Sequence, residues 1–285
     1  MLDLMLGNAQ DSFSCGEVYA WFRPHRMHHF NINCSCGQTI CPIWERLKSI
    51  PESKFHTSVI QSLEMKFVVD SSKDLTWVLD NHNWAKSNSI RVFNLLLWKD
   101  PIHLAHSYWK RNYNPTAWRS EFINYYGSFL KSGFPFIAVN YNELTRDPER
   151  KLAEICRMVG MEYFDGRERF WKKKHHYLFG SSSVRQQVKS GTSRIWEGET
   201  FRSGFRKHSL AISGQVKSDR VIQRILHTLK NQEVSNCEIN KYKHNFTHRK
   251  PYPLWYYRRK MNLFLRRSFL RNRPGIKKLK NFISD

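Results

Sequence analysis

Apolar runs and the breaks between them sketch a chain of short strands alternating with longer helices. Met65–Val69 is an apolar run closed by Asp70 and predicts a buried strand, and Leu75–Lys86 fits a helix after it. Arg91–Trp98 predicts a second buried strand ending at Lys99-Asp100-Pro101, with Ile102–Asn112 as the following helix. Trp118–Lys131 predicts another helix. Phe136–Asn140 predicts a third strand, and a helix from about Pro148 to Val159 stops at Gly160. Leu2–Leu6 reads as the interior of an apolar helix. Such alternation predicts an α/β fold, a doubly wound parallel sheet with helices on both faces. Ligands of such sheets bind at the carboxyl ends of the strands. Asp70–Lys73, Lys99–Ser107 and Tyr141 all fall at such ends.

Composition narrows the class without choosing a function. With 285 residues, 40% hydrophobic, the chain can bury a large core and is not disordered in bulk. Its 47 Lys and Arg against 24 Asp and Glu favour polyanionic or phosphorylated partners. No apolar run approaches the roughly 18 residues of a spanning helix, and Met1–Gly7 is too short for a signal peptide and carries Asp3. The expectation is a soluble, cytoplasmic chain with possible attachment to a membrane surface. Its organisation is expected to be an α/β domain over residues 1–210, a Cys/His insert at 25–45, and a basic, aromatic-rich C-terminal appendage over 211–285.

Five segments carry candidate chemistry. Lys99 at a strand end and Ser107 eight residues later can converge on one anion at a helix amino terminus, with Arg111 one turn further on. An ordinary strand-to-helix turn with solvated charges gives the same pattern. Asp70-Ser71-Ser72-Lys73 offers a lysine and hydroxyls to an anionic leaving group, or simply a helix cap. Cys15-Gly16-Glu17 places a carboxylate in a turn, as a general base or as a surface residue. Tyr141 follows the third strand, and either binds a ligand or packs. Gly180–Arg185 is a small-residue loop with a cation, able to wrap a phosphate or to act as a linker.

In order and spacing these segments resemble the sulfotransferase superfamily, over residues 1 to about 205. Val69-Asp70-Ser71-Ser72-Lys73 resembles a strand-end D-S-S-K motif. Lys99-Asp100-Pro101 with Ser107 resembles the R-D-P…S motif for a 3'-phosphate, and Tyr141-Asn142-Glu143-Leu144 with Asp147-Pro148 resembles Y-E-D-L…D-P. His175-His176, Gly180 and Arg185 resemble the H-H…G-N…R segment near the nucleotide. The resemblance implies a P-loop-NTPase-like fold. It also implies transfer of a sulfuryl group from 3'-phosphoadenosine-5'-phosphosulfate to a hydroxyl or amine, with no metal required. Carried over, Lys99, Ser107 and Arg111 would hold the 3'-phosphate, Lys73 the leaving group, and Ser72, Tyr141 and Arg185 the nucleotide. Glu17 matches the C-G-E turn of the tyrosylprotein branch and would be the base. Two departures stand out. Lys99 replaces the usual Arg and loses its bidentate fork. Leu2–Asn8 resembles the helix that follows the family's phosphosulfate loop, so the first strand and that loop are expected to be missing, and turnover to suffer. The alternative is a non-catalytic, basic nucleotide- or nucleic-acid-binding protein derived from such an enzyme. A kinase is disfavoured because no G-x-x-x-x-G-K-[ST] occurs.

Cys34, Cys36 and Cys41 cluster in the insert. Free thiols in a structured loop are the preferred reading. A zinc site would take Cys15, His28 or His29 as its fourth ligand, and a disulfide is the third option. Lys241–Lys280 interleaves cations with aromatics and suits an anionic membrane surface or an acidic glycan; no specific nucleic acid is expected. The acceptor is a hydroxyl-bearing molecule of unassigned class.

Overall fold

In the computed structural model, carboxylates and amides start the helices where the strands end. Asp74 caps α5 (Leu75–Ser87), its side chain accepting from the Thr76 and Trp77 N–H groups. Asp100 caps α6 (Pro101–Lys110), with Pro101 at the first helical position. Asn140 caps α9 (Tyr141–Arg146), and Asp147 caps α10 (Pro148–Val159). Gly160 closes α10 in the left-handed region at φ 76°. The structure describes residues 1–114, 116–191, 203–237, 242 and 254–271. The chain is α/β, with two small parallel sheets among the described residues. It divides into two compact units that interleave in sequence, one built from 1–91, 167–193 and 247–285, the other from 92–166 and 194–246.

The first unit holds β1 (Ser12–Gly16) and β2 (Phe67–Asp70), paired in parallel with Ser12 opposite Phe67 and Gly16 opposite Asp70. The pairing is irregular between Ser14 and Gly16. There the Cys15 carbonyl accepts from the Leu178 N–H at 3.1 Å, and the Glu17 N–H donates to the Leu178 carbonyl at 3.0 Å. The segment around Leu178 thus extends the sheet at β1's free edge. Gly16 has φ 73°, and a Cβ there would lie 2.1 Å from the Leu178 oxygen, so glycine is required. Cys15-Gly16-Glu17 was expected in a turn; instead Cys15 and Gly16 finish a strand and Glu17 follows it. α1 (Leu2–Leu6) buries Leu2, Leu4, Met5 and Leu6.

The remaining helices of this unit are α2 (Tyr19–Phe22), α3 (Pro42–Leu47), α4 (Phe55–Ser62), α11 (Ser182–Ser190) and α14 (Leu254–Arg271). One aromatic core joins α2, α3, α4 and α5: Trp44 stacks on Phe55 at 6.1 Å, and Phe22 stacks on Trp77 at 5.8 Å. The Cys/His insert is part of that core. Cys34, Cys41, Trp44 and Leu47 are buried in the same cluster as Val18, Phe55 and Trp77. α14 docks through Tyr256, whose hydroxyl donates to Asp80 at 2.5 Å, and through Arg259, which pairs with Asp74 at 2.6 Å.

The second unit holds β3 (Leu95–Trp98) and β4 (Ile137–Asn140), parallel, with Leu95 opposite Ile137 and Trp98 opposite Asn140. One further rung pairs Ala138 with Glu233. The helix expected at Trp118–Lys131 runs as α7 (Ala117–Phe122), a π turn (Ile123–Gly127) and α8 (Ser128–Ser132). α12 (Arg206–Ser218) and α13 (Arg220–Asn231) fold with this unit and bury Ile212, Val216, Ile222 and Leu229. Residues 211–231 were expected to belong to the appendage. They are packed because α13 carries an apolar stripe at Ile222, Ile225, Leu226 and Leu229. Of the expected basic region 241–280, only Tyr242 and 254–271 are described; the rest lies outside the described residues.

Candidate functional site

Strand ends in both units gather the residues singled out from the sequence. In the first unit, β1 and β2 end side by side, and the Ser71 N–H donates to the Gly16 carbonyl at 2.9 Å. This places Glu17 against Lys73, and the two form an ion pair. Both partners reach solvent. Ser72 is engaged locally, its Oγ accepting from the Tyr19 N–H at 2.9 Å. Asp70 is a structural anchor. Its carboxylate accepts from Trp77 Nε1 at 2.6 Å and the Ser72 N–H at 2.8 Å, and meets His56 Nε2 at 3.1 Å. Burial alone would raise its pKa, but His56 and these hydrogen bonds hold it below the ordinary carboxylate value. The cap of α5 is Asp74, so Ser71, Ser72 and Lys73 remain a loop ahead of the helix.

Gly180–Arg185 is the start of α11, capped by the Ser181 Oγ. Arg185 is held by backbone carbonyls, Nε donating to Phe179 O and Nη2 to Asn33 O, each at 3.0 Å. Its guanidinium lies 5.6 Å from the Tyr177 ring centroid. Among the described residues, the Tyr177 hydroxyl and Gln187 Oε1 are buried without a hydrogen-bond partner. Polar atoms left in this state are costly unless a ligand or water completes them.

In the second unit, Lys99 Nζ donates to Ser107 Oγ at 2.9 Å and sits 4.8 Å from the Tyr141 ring centroid. Ser107 Oγ donates in turn to the His103 carbonyl at 2.9 Å. The π turn brings Tyr126 to the same strand end, its hydroxyl accepting from the Lys99 N–H at 3.3 Å. Lys99, Ser107 and Tyr141 therefore form one cluster beside the carboxyl ends of β3 and β4, with Ser107 in the second turn of α6. Arg111 was expected on the same helical face. It lies instead just past the end of α6 and is exposed, and no hydrogen bond joins it to Lys99 or Ser107 among the described residues.

A buried charge network behind this cluster escaped the sequence reading. Lys151, fully buried on α10, contacts Glu143 at 2.7 Å, Glu154 at 3.1 Å and Glu233 at 3.6 Å. Glu233 in turn accepts from Trp98 Nε1 at 2.9 Å and the Asn140 N–H at 3.0 Å, clamping the ends of β3 and β4. The signal was present. Lys151 falls on the buried stripe with Leu152, Ile155, Met158 and Val159.

The cysteine cluster gains a ligand that local spacing could not supply. Cys34, Cys36, Cys41 and His176 bring four donor atoms within 4.8 Å of one another. The fourth position was expected from Cys15, His28 or His29. Cys15 instead donates to the Val69 carbonyl at 3.1 Å, while His29 accepts from the His25 N–H and packs on Phe179. Burial, with Lys174 nearby, lowers the His176 pKa. All six cysteines are free thiols. Beside this cluster a cleft of about 600 Å³ is lined by Arg46, Lys173, Lys174 and His176.

Compared with protein-family models, with curated proteins and with solved structures, the chain shows no match. Among the described residues, no helix is long and apolar enough to cross a membrane.

Proposed function

We propose that this chain binds a 3'-phosphoadenosine nucleotide and transfers the sulfuryl group of 3'-phosphoadenosine-5'-phosphosulfate to a hydroxyl acceptor. The observation that carries the reading is the 2.9 Å hydrogen bond from Lys99, at the carboxyl end of a parallel strand, to Ser107 in the second turn of α6. A cation and a hydroxyl so placed suit a dianionic phosphate, and the Tyr141 ring beside Lys99 suits an adenosine. Arg111 is not needed in this reading. The fold reading that goes with it is a P-loop-NTPase-like sheet.

Glu17 and Lys73 carry the transfer chemistry in this reading. In the free protein they neutralise one another. A bound donor draws Lys73 to the bridging oxygen that becomes the leaving phosphate. Glu17 is then free to accept the acceptor's proton as the new O–S bond forms and the old one breaks. Products are the sulfate ester, 3'-phosphoadenosine-5'-phosphate and one proton.

Titration calorimetry with 3'-phosphoadenosine-5'-phosphate and with 5'-AMP tests the assignment. The first should bind at least about tenfold more tightly, because charge-assisted hydrogen bonds to the 3'-phosphate contribute about 1.5–3 kcal/mol. Lys99→Ala with Ser107→Ala should abolish that preference. Equal affinities would refute the 3'-phosphate site. Bound nucleotide should also slow hydrogen exchange at residues 99–107, and unchanged exchange there would refute the site.

A further inference from the structure

We propose that Cys34, Cys36, Cys41 and His176 bind one zinc ion as a closed structural site. The donor set is three sulfurs and one imidazole nitrogen, a combination that zinc takes in tetrahedral geometry. Zn–S and Zn–N bonds of about 2.3 and 2.05 Å at a tetrahedral angle put sulfur and nitrogen about 3.6 Å apart. His176 Nδ1 lies 3.2 Å from Cys41 Sγ and 3.9 Å from Cys34 Sγ, distances that bracket this value. All four donors fit within 4.8 Å, so ligation requires only small side-chain adjustments.

The site is built by the surrounding backbone. Cys34 and His176 are 142 residues apart, yet bonds that involve no metal hold them together. The Ser35 N–H donates to the Tyr177 carbonyl at 3.1 Å, and the Ser35 Oγ donates to the His175 carbonyl at 2.6 Å. Trp44 Nε1 donates to the His176 carbonyl at 2.9 Å. Between the first and last cysteines the chain turns at Gly37, with φ 78°, and the Gly37 N–H donates to the Cys34 carbonyl at 3.2 Å. The Cys36 N–H points at the Cys34 sulfur at 3.5 Å, a contact that stabilises a thiolate. Three thiolates around a divalent ion leave one negative charge.

Competing uses of these side chains fit less well. A disulfide consumes two sulfurs and leaves a thiol and an imidazole with no function in common. A catalytic metal keeps one position open, whereas four protein donors close this one. Among the described residues the other cluster of suitable groups is already engaged: Cys15 with Val69, Asp70 with Trp77 and Ser72, and His56 with Asp70. What the zinc ties together is specific: the insert at 34–41 and the 175–178 segment, whose Leu178 in turn holds Cys15 and Glu17.

Elemental analysis of the purified full chain should find about one zinc per molecule. Replacement by cobalt(II) should give thiolate-to-cobalt charge transfer and the intense visible bands of a tetrahedral ion held by three sulfurs and one nitrogen. Cys41→Ser should lose the metal, and His176→Cys should retain it as a four-sulfur site. If these variants fold poorly, a thiol-reactive mercurial added to the wild-type protein should release zinc in step with modification of three cysteines. Zinc below about 0.1 equivalent, retention of the full amount by Cys41→Ser, iron in place of zinc, or a disulfide between any two of the three cysteines would each overturn the assignment.

Discussion

Replacing Lys151 with Met removes the buried cation that three carboxylates share, and the cost should be large. The ammonium is fully buried and contacts Glu143, Glu154 and Glu233 at 2.7, 3.1 and 3.6 Å, with Ser235 Oγ accepting at 2.9 Å. Glu143 and Glu154 reach solvent and can rehydrate. Glu233 cannot: its side chain is 9% exposed, and both oxygens are committed to Trp98 and Asn140. Removing one partner of a buried pair costs about 3–5 kcal/mol because the other charge stays buried. We expect a loss in that range from urea unfolding of the full chain followed by tryptophan fluorescence, with a second probe to check that the transition is two-state. The pH dependence has a defined sign. Burial opposes the Lys151 charge, but Glu143 and Glu154 outweigh it and raise its pKa. Its contribution is therefore complete below the unfolded lysine value of about 10.4 and lost only above it. Glu154 is shifted down, against its own burial, by Ser235 and Lys151. Its contribution is present above about pH 4.3 and lost as pH falls through its lower folded value. Glu233 moves the other way, raised by burial, so its ionisation becomes a burden as pH rises. The penalty for Lys151→Met should thus be full at pH 7 and shrink in acid. A loss below about 1 kcal/mol at pH 7 would refute this account of the strand-end clamp.

Gly16→Ala should lower stability by about 3 kcal/mol or more, since the added carbon meets the Leu178 carbonyl in a left-handed backbone; an unchanged melting temperature would contradict the close approach. Asp70 has a depressed pKa, so the stability it supplies is complete above about pH 4 and lost as pH falls through its folded value. Asp70→Asn should therefore flatten the acid limb of a pH–melting-temperature curve, and an identical limb would count against the anchor. Trp44→Ala should cost about 3–5 kcal/mol in thermal unfolding, because the insert belongs to the core; a near-neutral outcome would restore the picture of a detached loop. α14 presents Leu254, Tyr257, Met261, Phe264 and Leu265 exposed along one face beside Arg258 and Arg266. Sedimentation with anionic vesicles should retain the protein more than neutral vesicles do, and equal retention would exclude that surface.

Elements with long apolar runs were legible in the sequence. β2, β3 and β4 fall inside the runs ended by Asp70, Lys99 and Tyr141, and α10 ends at the expected glycine. β1 was not legible because Ser12, Ser14 and Gly16 erase the strand pattern, although both serines are buried. The Lys99–Ser107 pair was foreseeable from the strand end that carries Lys99, whereas the Glu17–Lys73 pair depends on β1 and was not. Arg111 follows the last residue of α6 and is exposed, which the sequence pattern did not mark. His176 could not be found by spacing, since its partners lie 142 and 135 residues away. Only the fold brings that histidine to the cysteines.

The interleaving of the two units has a consequence during synthesis. β1 emerges from the ribosome early, but the Leu178 segment that covers its edge follows about 160 residues later. At about 5–20 residues per second, that edge waits roughly ten to thirty seconds for its neighbour. Throughout that interval Cys15 and the aromatic residues beside it depend on provisional shelter, and the nascent chain is then a natural client for a holding chaperone.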